Sequence, residues 1–120
     1  VREAEALRLL ASRGGGMVLA CGGGVIVSEA NRRLLAAEYF TIWLEVPFEE
    51  LMVRLSGEAA RAARPLLRSE GYREEAEALY RSREPLYRGT SRFAHRWRAG
   101  ESVADAASAI ARILGATAEA

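Results

Sequence analysis

The 120 residues contain no lysine: all 17 basic residues are arginine, and of the 16 acidic residues Asp105 alone is an aspartate. Chemistry that needs a lysine, or an aspartate early in the chain, is therefore excluded. One histidine, His95, and one cysteine, Cys21, leave no Cys/His cluster for a metal ion. A lone cysteine forms no internal disulfide, so a reducing, cytoplasmic setting is the expectation. No apolar run approaches the roughly 20 residues of a membrane-spanning helix. "VREAEALRLL" is charged from its second residue, unlike a signal peptide. A net charge of +1 gives no electrostatic ground for binding nucleic acid.

What is present is the balance of a globular domain, 50% hydrophobic and 28% charged. The length suits one domain, residues 1–120, with a real core. The chain starts at Val1, inside an apparent helix, which reads as a fragment, a trimmed chain or an unusual start codon.

Arg2 to Ser12 has Ala4, Leu7, Leu10 and Ala11 at helical spacing. Gly14–Gly16 end that helix, as a glycine just past the last periodic residue does. "MVLAC", Met17 to Cys21, is a continuous apolar run, the pattern of a strand buried on both faces. A second triplet, Gly22–Gly24, follows it, and Ser28 then caps a helix through "EANRRLLAA". Thr41–Val46 reads as a strand, and Pro47 opens a helix that runs to Gly57. Pro65 breaks regularity in the arginine-rich stretch Gly57–Ser69. Ser69 or Gly71 opens a charged helix that Pro85 interrupts. "SRFAHRWRA" alternates like a half-exposed edge strand. Ser102 and Asp105 form a capping box for a last helix ending at Gly115. This order predicts an α/β protein with a mostly parallel sheet.

Ligands of open parallel sheets bind beyond the carboxyl ends of the strands. The first triplet precedes the strand Met17–Cys21 and lies at the structural end. The second leaves that strand at the ligand edge, where bare backbone offers N–H donors. An ordinary tight turn explains the second triplet equally well from pattern alone.

"REAE" (Arg2–Glu5), "CGGGVIV", "RPLL" (Arg64–Leu67) and "SREPLY" (Ser82–Tyr87), in this order and spacing, resemble shikimate kinase. The resemblance covers essentially the whole chain. It implies a P-loop kinase fold, a three-layer α/β/α arrangement, with residues 57–70 as a lid. It implies transfer of the γ-phosphoryl of ATP to shikimate in aromatic amino acid biosynthesis, with Mg²⁺. Arg2 and Arg83 would hold the shikimate carboxylate, the backbone of Gly23 and Gly24 would complete the pocket, and Gly22 would shape the turn. Arg64, in the lid, would close on the ATP phosphates as the catalytic cation. Arg54 would pack on the adenine. Val1 departs from the Phe common there. Guanidinium partners suit such a substrate, because arginine grips carboxylates through a rigid bidentate fork.

Arg61, Arg68, Arg73 and Arg81 read as solvated charges, and Tyr87 and Leu86 as packing residues. Trp43 and Trp97 read as core or sheet-face residues, Cys21 as a small buried hydrophobe, and His95 receives no role. The superfamily's P-loop, G-x-x-x-x-G-K-[ST], is absent from the chain, which has no lysine. The fold is therefore expected to be incomplete, without its P-loop strand. The stretch is expected to carry the acid site and lid, and to be inactive and marginally stable alone. Its two inner strands would pair directly or leave a gap, and unpaired edges leave self-association open. Other readings are a non-catalytic acid-binding module of the same fold and a kinase of another small hydroxy acid. An in-frame strand and P-loop coded upstream of Val1 would mark a truncated enzyme.

Overall fold

A computed structural model describes residues 2–55 and 71–119. Helix α1, Arg2–Ser12, is followed by a 3-10 turn, Gly23–Val27, and by α2, Glu29–Glu38. Strand β1, Ile42–Glu45, leads into α3, Phe48–Leu55. Helix α4, Tyr72–Thr90, strand β2, Phe93–Arg96, and α5, Val103–Glu119, complete the order.

Local signals account for most of these boundaries. Gly14 and Gly16 take φ of +85° and +92° just beyond α1, a left-handed conformation that closes a helix and favours glycine. Ser28 Oγ accepts from the Asn31 N–H and caps α2. The Asp105 N–H donates to Ser102 Oγ and the Ser102 N–H to the Asp105 carboxylate, the reciprocal pair of a capping box.

The strands β1 and β2 pair in parallel, Ile42 opposite Phe93 through Glu45 opposite Arg96. Hydrogen bonds from the Arg92 N–H to the Thr41 carbonyl and from the Trp97 N–H to the Glu45 carbonyl extend the ladder at both ends. Arg96 and Glu45, directly opposite, form an ion pair at 3.1 Å. The alternating exposure of β2 matches its reading as a half-exposed edge strand. The core gathers Leu7, Val25 and Leu35, from α1, the 3-10 turn and α2, with Leu34 and Tyr39 packed on it. The Tyr39 hydroxyl donates to the Leu7 carbonyl at 2.7 Å and locks α1 to the end of α2.

Four expectations are corrected. Met17–Cys21 forms no strand; Val18 is 99% exposed. A strand buried on both faces exists only through its neighbours, and among the described residues none pairs with it. The two segments expected to be inner strands therefore do not pair with each other. Cys21 is exposed rather than buried, for the same reason.

Pro85 does not interrupt α4, which continues to Thr90. Proline removes the hydrogen bond to the carbonyl four residues back. Here Arg81 and Pro85 are both exposed, so the released carbonyl lies on the solvent side. Beyond the proline, the Trp43–Tyr87 stack and the buried Thr90 hold the last turn in place. Helix α5 likewise passes Gly115, whose φ is not positive, through "ATAE" to Glu119. Ala and Glu are strong helix formers, and without a left-handed turn glycine alone is no stop.

Candidate functional site

The turn Gly22–Gly24 lies against α4. None of its three glycines has a positive φ, so left-handed backbone does not explain them. Space does. A Cβ on Gly23 would sit 3.0 Å from the Tyr87 hydroxyl and 3.5 Å from Arg83 Nη1; one on Gly24 would sit 3.9 Å from Arg83 Nη2. Around Gly14, Gly15 and Gly16 nothing comes within 4 Å of such a Cβ. The two triplets thus differ: Gly14 and Gly16 serve by conformation, and Gly23 by close approach.

Arg83 and Tyr87 stand four residues apart on α4 and so share a face. The Tyr87 hydroxyl donates to the Gly23 carbonyl at 2.8 Å. Its ring stacks on Trp43 of β1, with centroids 5.7 Å apart. Arg83 Nε is buried without a hydrogen-bond partner, and no described carboxylate pairs with this guanidinium. Most arginines of the same helix are satisfied: Arg73 pairs with Glu49, Arg81 with Glu77 and Arg88 with Glu84. A buried guanidinium nitrogen without a partner is costly, and an incoming anion is what would satisfy this arginine. Among the described residues, the Gly23 and Gly24 N–H groups also lack acceptors, as the first amides of a helical turn do.

The downstream half of the turn is fastened to α2. Asn31 Nδ2 donates to the Val25 carbonyl at 3.2 Å, and Arg32 Nη1 donates to the Ile26 and Val27 carbonyls at 2.8 and 2.9 Å. Asn31 is buried, so its bond forms away from competing water.

Arg2 occupies the first turn of α1 and is exposed, with no ion pair or hydrogen bond to the described residues. That turn reaches the glycines: Glu3, Cys21 and Gly22 line one cavity of about 190 Å³. Although Cys21 is exposed, partial desolvation beside α1, and then the Glu3 carboxylate, push its thiol above its ordinary pKa. Arg54 lies elsewhere. At the end of α3 it pairs with Glu50 at 3.1 Å and covers the Trp97 ring at 5.4 Å, just past the carboxyl end of β2. Arg64 and the expected lid, 57–70, lie outside the described residues.

The chain lacks the loop that would hold the phosphates and metal of a nucleotide. It has no lysine and no G-x-x-x-x-G-K-[ST]. Among the described residues no group of three or more His, Cys, Asp or Glu could hold a metal ion. No helix among them is long and apolar enough to cross a membrane.

Sequence pattern assigns Tyr87 to packing. It does pack, on Trp43, but its hydroxyl also binds the turn. Its spacing four residues after Arg83 is the available signal. Asn31 and Arg32 carry no such signal, since polar residues early in a helix usually face solvent. His95, given no role by the sequence, bonds Glu101 at 2.9 Å, and Glu101 also accepts from the Arg98 N–H, which ties the end of β2 to the start of α5.

A family model described as shikimate kinase matches residues 1–114. The shikimate kinase of Aromatoleum aromaticum is 47% identical over 73 residues, 61% of this chain and 40% of that protein. Shikimate kinase 2 of Dickeya chrysanthemi is 37% identical over 92 residues, 77% of this chain and 52% of that one. A solved structure, shikimate kinase from Acinetobacter baumannii in complex with shikimate, superposes with a TM-score of 0.72 at 29% identity. That match covers 95% of this chain and 62% of the other. The chain spans about half the length of the curated relatives it matches.

Proposed function

Because this chain belongs to the shikimate kinase family, with its α/β P-loop kinase fold, we propose that it carries the family's acid-binding site and binds shikimate without phosphorylating it alone. The reaction would be that of the family, ATP and shikimate giving ADP and shikimate 3-phosphate. Arg83 grips the carboxylate through its guanidinium, while the Gly23 and Gly24 N–H groups donate to the acid from the turn that Gly22 shapes. Arg2 supplies a second guanidinium from the first turn of α1. In the complete reaction Arg64 would close on the phosphates of ATP, stabilising charge on the transferring group, and Arg54 would support the adenine. Mg²⁺ and the phosphates also need a P-loop with its lysine, which this chain does not contain.

The observation that carries the reading is the state of Arg83. Its guanidinium is packed against two glycines, its Nε is buried without a partner, and no described carboxylate neutralises it. A small carboxylate is the complementary ligand, because the planar fork of arginine matches its two oxygens.

The test is titration of the 120-residue chain with shikimate by calorimetry, alongside an assay of shikimate-dependent ADP release. Binding without turnover is expected. Arg83→Ala, which removes the cationic partner of the carboxylate, should weaken binding by about 2–5 kcal/mol, at least about thirtyfold. Equal binding by Arg83→Ala would refute the site, and clear turnover would refute the requirement for a P-loop lysine.

A further inference from the structure

Arg83 and the glycine turn belong to elements far apart in the chain, yet the acid site needs both aimed at one carboxylate. One side chain joins them. Tyr87 rides on the helix that carries Arg83, bonds the Gly23 carbonyl, and is held from behind by its stack on the buried Trp43. We propose that Tyr87 is a positioning residue, whose hydroxyl fixes the Gly23–Gly24 peptide so that the Gly24 N–H and the Arg83 guanidinium present one acid-binding unit. This rests on the acid-binding reading of the site.

Peptide geometry makes the link. In a planar trans peptide the carbonyl and the following N–H point in opposite directions, so anchoring the Gly23 carbonyl also sets the Gly24 N–H. Three consecutive glycines have wide backbone freedom, and without an anchor this peptide would rotate readily. Downstream, Asn31 and Arg32 fasten the carbonyls of Val25, Ile26 and Val27. Tyr87 supplies the corresponding hold at Gly23, and it can approach so closely only because Gly23 has no Cβ.

A second tyrosine of the same helix provides the control. The Tyr80 hydroxyl donates to the Val46 carbonyl at 3.3 Å, a similar bond at a site the glycines do not touch. Tyr87→Phe and Tyr80→Phe each lose one hydroxyl and keep the ring. The experiment measures shikimate affinity by titration and the Gly24 amide order parameter by ¹⁵N relaxation in the ligand-free chain.

Tyr87→Phe should weaken shikimate about three- to tenfold, the worth of one hydrogen bond, and lower the Gly24 order parameter. Tyr80→Phe should do neither. Gly23→Ala, whose Cβ displaces the hydroxyl from the turn side, should repeat the Tyr87→Phe result and serves if that variant does not fold. An unchanged Gly24 order parameter in both Tyr87→Phe and Gly23→Ala overturns the proposal. So does unchanged affinity, or an equal loss in Tyr80→Phe. If the wild-type chain binds no shikimate, the acid reading fails by itself. The Gly24 order parameter then decides the positioning role alone.

Discussion

Alanine substitution in the two glycine triplets should give three different outcomes from one chemical change. At Gly16, φ is +92° and nothing lies within 4 Å of the place a Cβ would take, so the cost is conformational. An L-residue in the left-handed region costs about 1–2 kcal/mol, and Gly16→Ala should lose that much stability. Gly22 has φ −66° and ψ 153°, which any residue adopts, and open space around it. There alanine only restricts the unfolded chain, and Gly22→Ala should gain about 0.4–1 kcal/mol. Gly23→Ala draws the same gain but drives its Cβ to 3.0 Å from the Tyr87 hydroxyl. Lengthening or losing that hydrogen bond costs about 0.5–1.5 kcal/mol. The two effects nearly cancel, leaving stability within about 1 kcal/mol of wild type while shikimate affinity falls. Urea unfolding followed through Trp43 and Trp97 fluorescence measures the first quantity, provided the slopes agree, and calorimetry the second. The reasoning is refuted if Gly16→Ala is as stable as Gly22→Ala, or if Gly23→Ala binds shikimate as the wild type does.

Leu7 is 2% exposed at the centre of the small cluster with Val25 and Leu35; Leu7→Ala should cost about 2–5 kcal/mol, read as a lower urea midpoint. The Asp105 carboxyl is held below its ordinary 3.8 by hydrogen bonds from the Ser102 backbone and side chain. A carboxyl depressed in the folded state contributes stability above its unfolded pKa and loses it as pH falls below about 4. Carbon-detected titration should therefore place Asp105 below 3.8, and Asp105→Asn should remove this part of the acid sensitivity. Cys21 is exposed, so alkylation should go to completion on the folded chain, but its raised pKa keeps the thiolate scarce at neutral pH. Glu3→Gln should lower that pKa and speed alkylation; an unchanged rate profile would dissociate Glu3 from the thiol.

The elements legible in the sequence are those whose causes are local. Ser28, the Ser102–Asp105 pair and Gly14 each act on residues within a turn of themselves, so their patterns can be read directly. The errors share the opposite property. Met17–Cys21 has the apolar composition of a buried strand, but a ladder requires a neighbour, and the described residues supply none. Pro85 is a helix breaker by local rule, yet α4 carries it because the packing of Tyr87 and Thr90 outweighs one missing hydrogen bond. Tyr87 reads as packing because its second partner, Gly23, lies 64 residues away.

For the candidate site, the sequence by itself determined which chemistry was on offer. It has guanidinium groups without lysine, a side-chain-free turn, and no phosphate-binding loop. Residue type decides those, and folding does not alter them. The tertiary structure alone decided that Arg83 meets Gly23 and Gly24, that Tyr87 bonds the turn between them, and that Arg54 stands apart over Trp97. Contacts between segments distant in the chain depend on the packing of whole elements, which the spacing of residues along one segment does not encode.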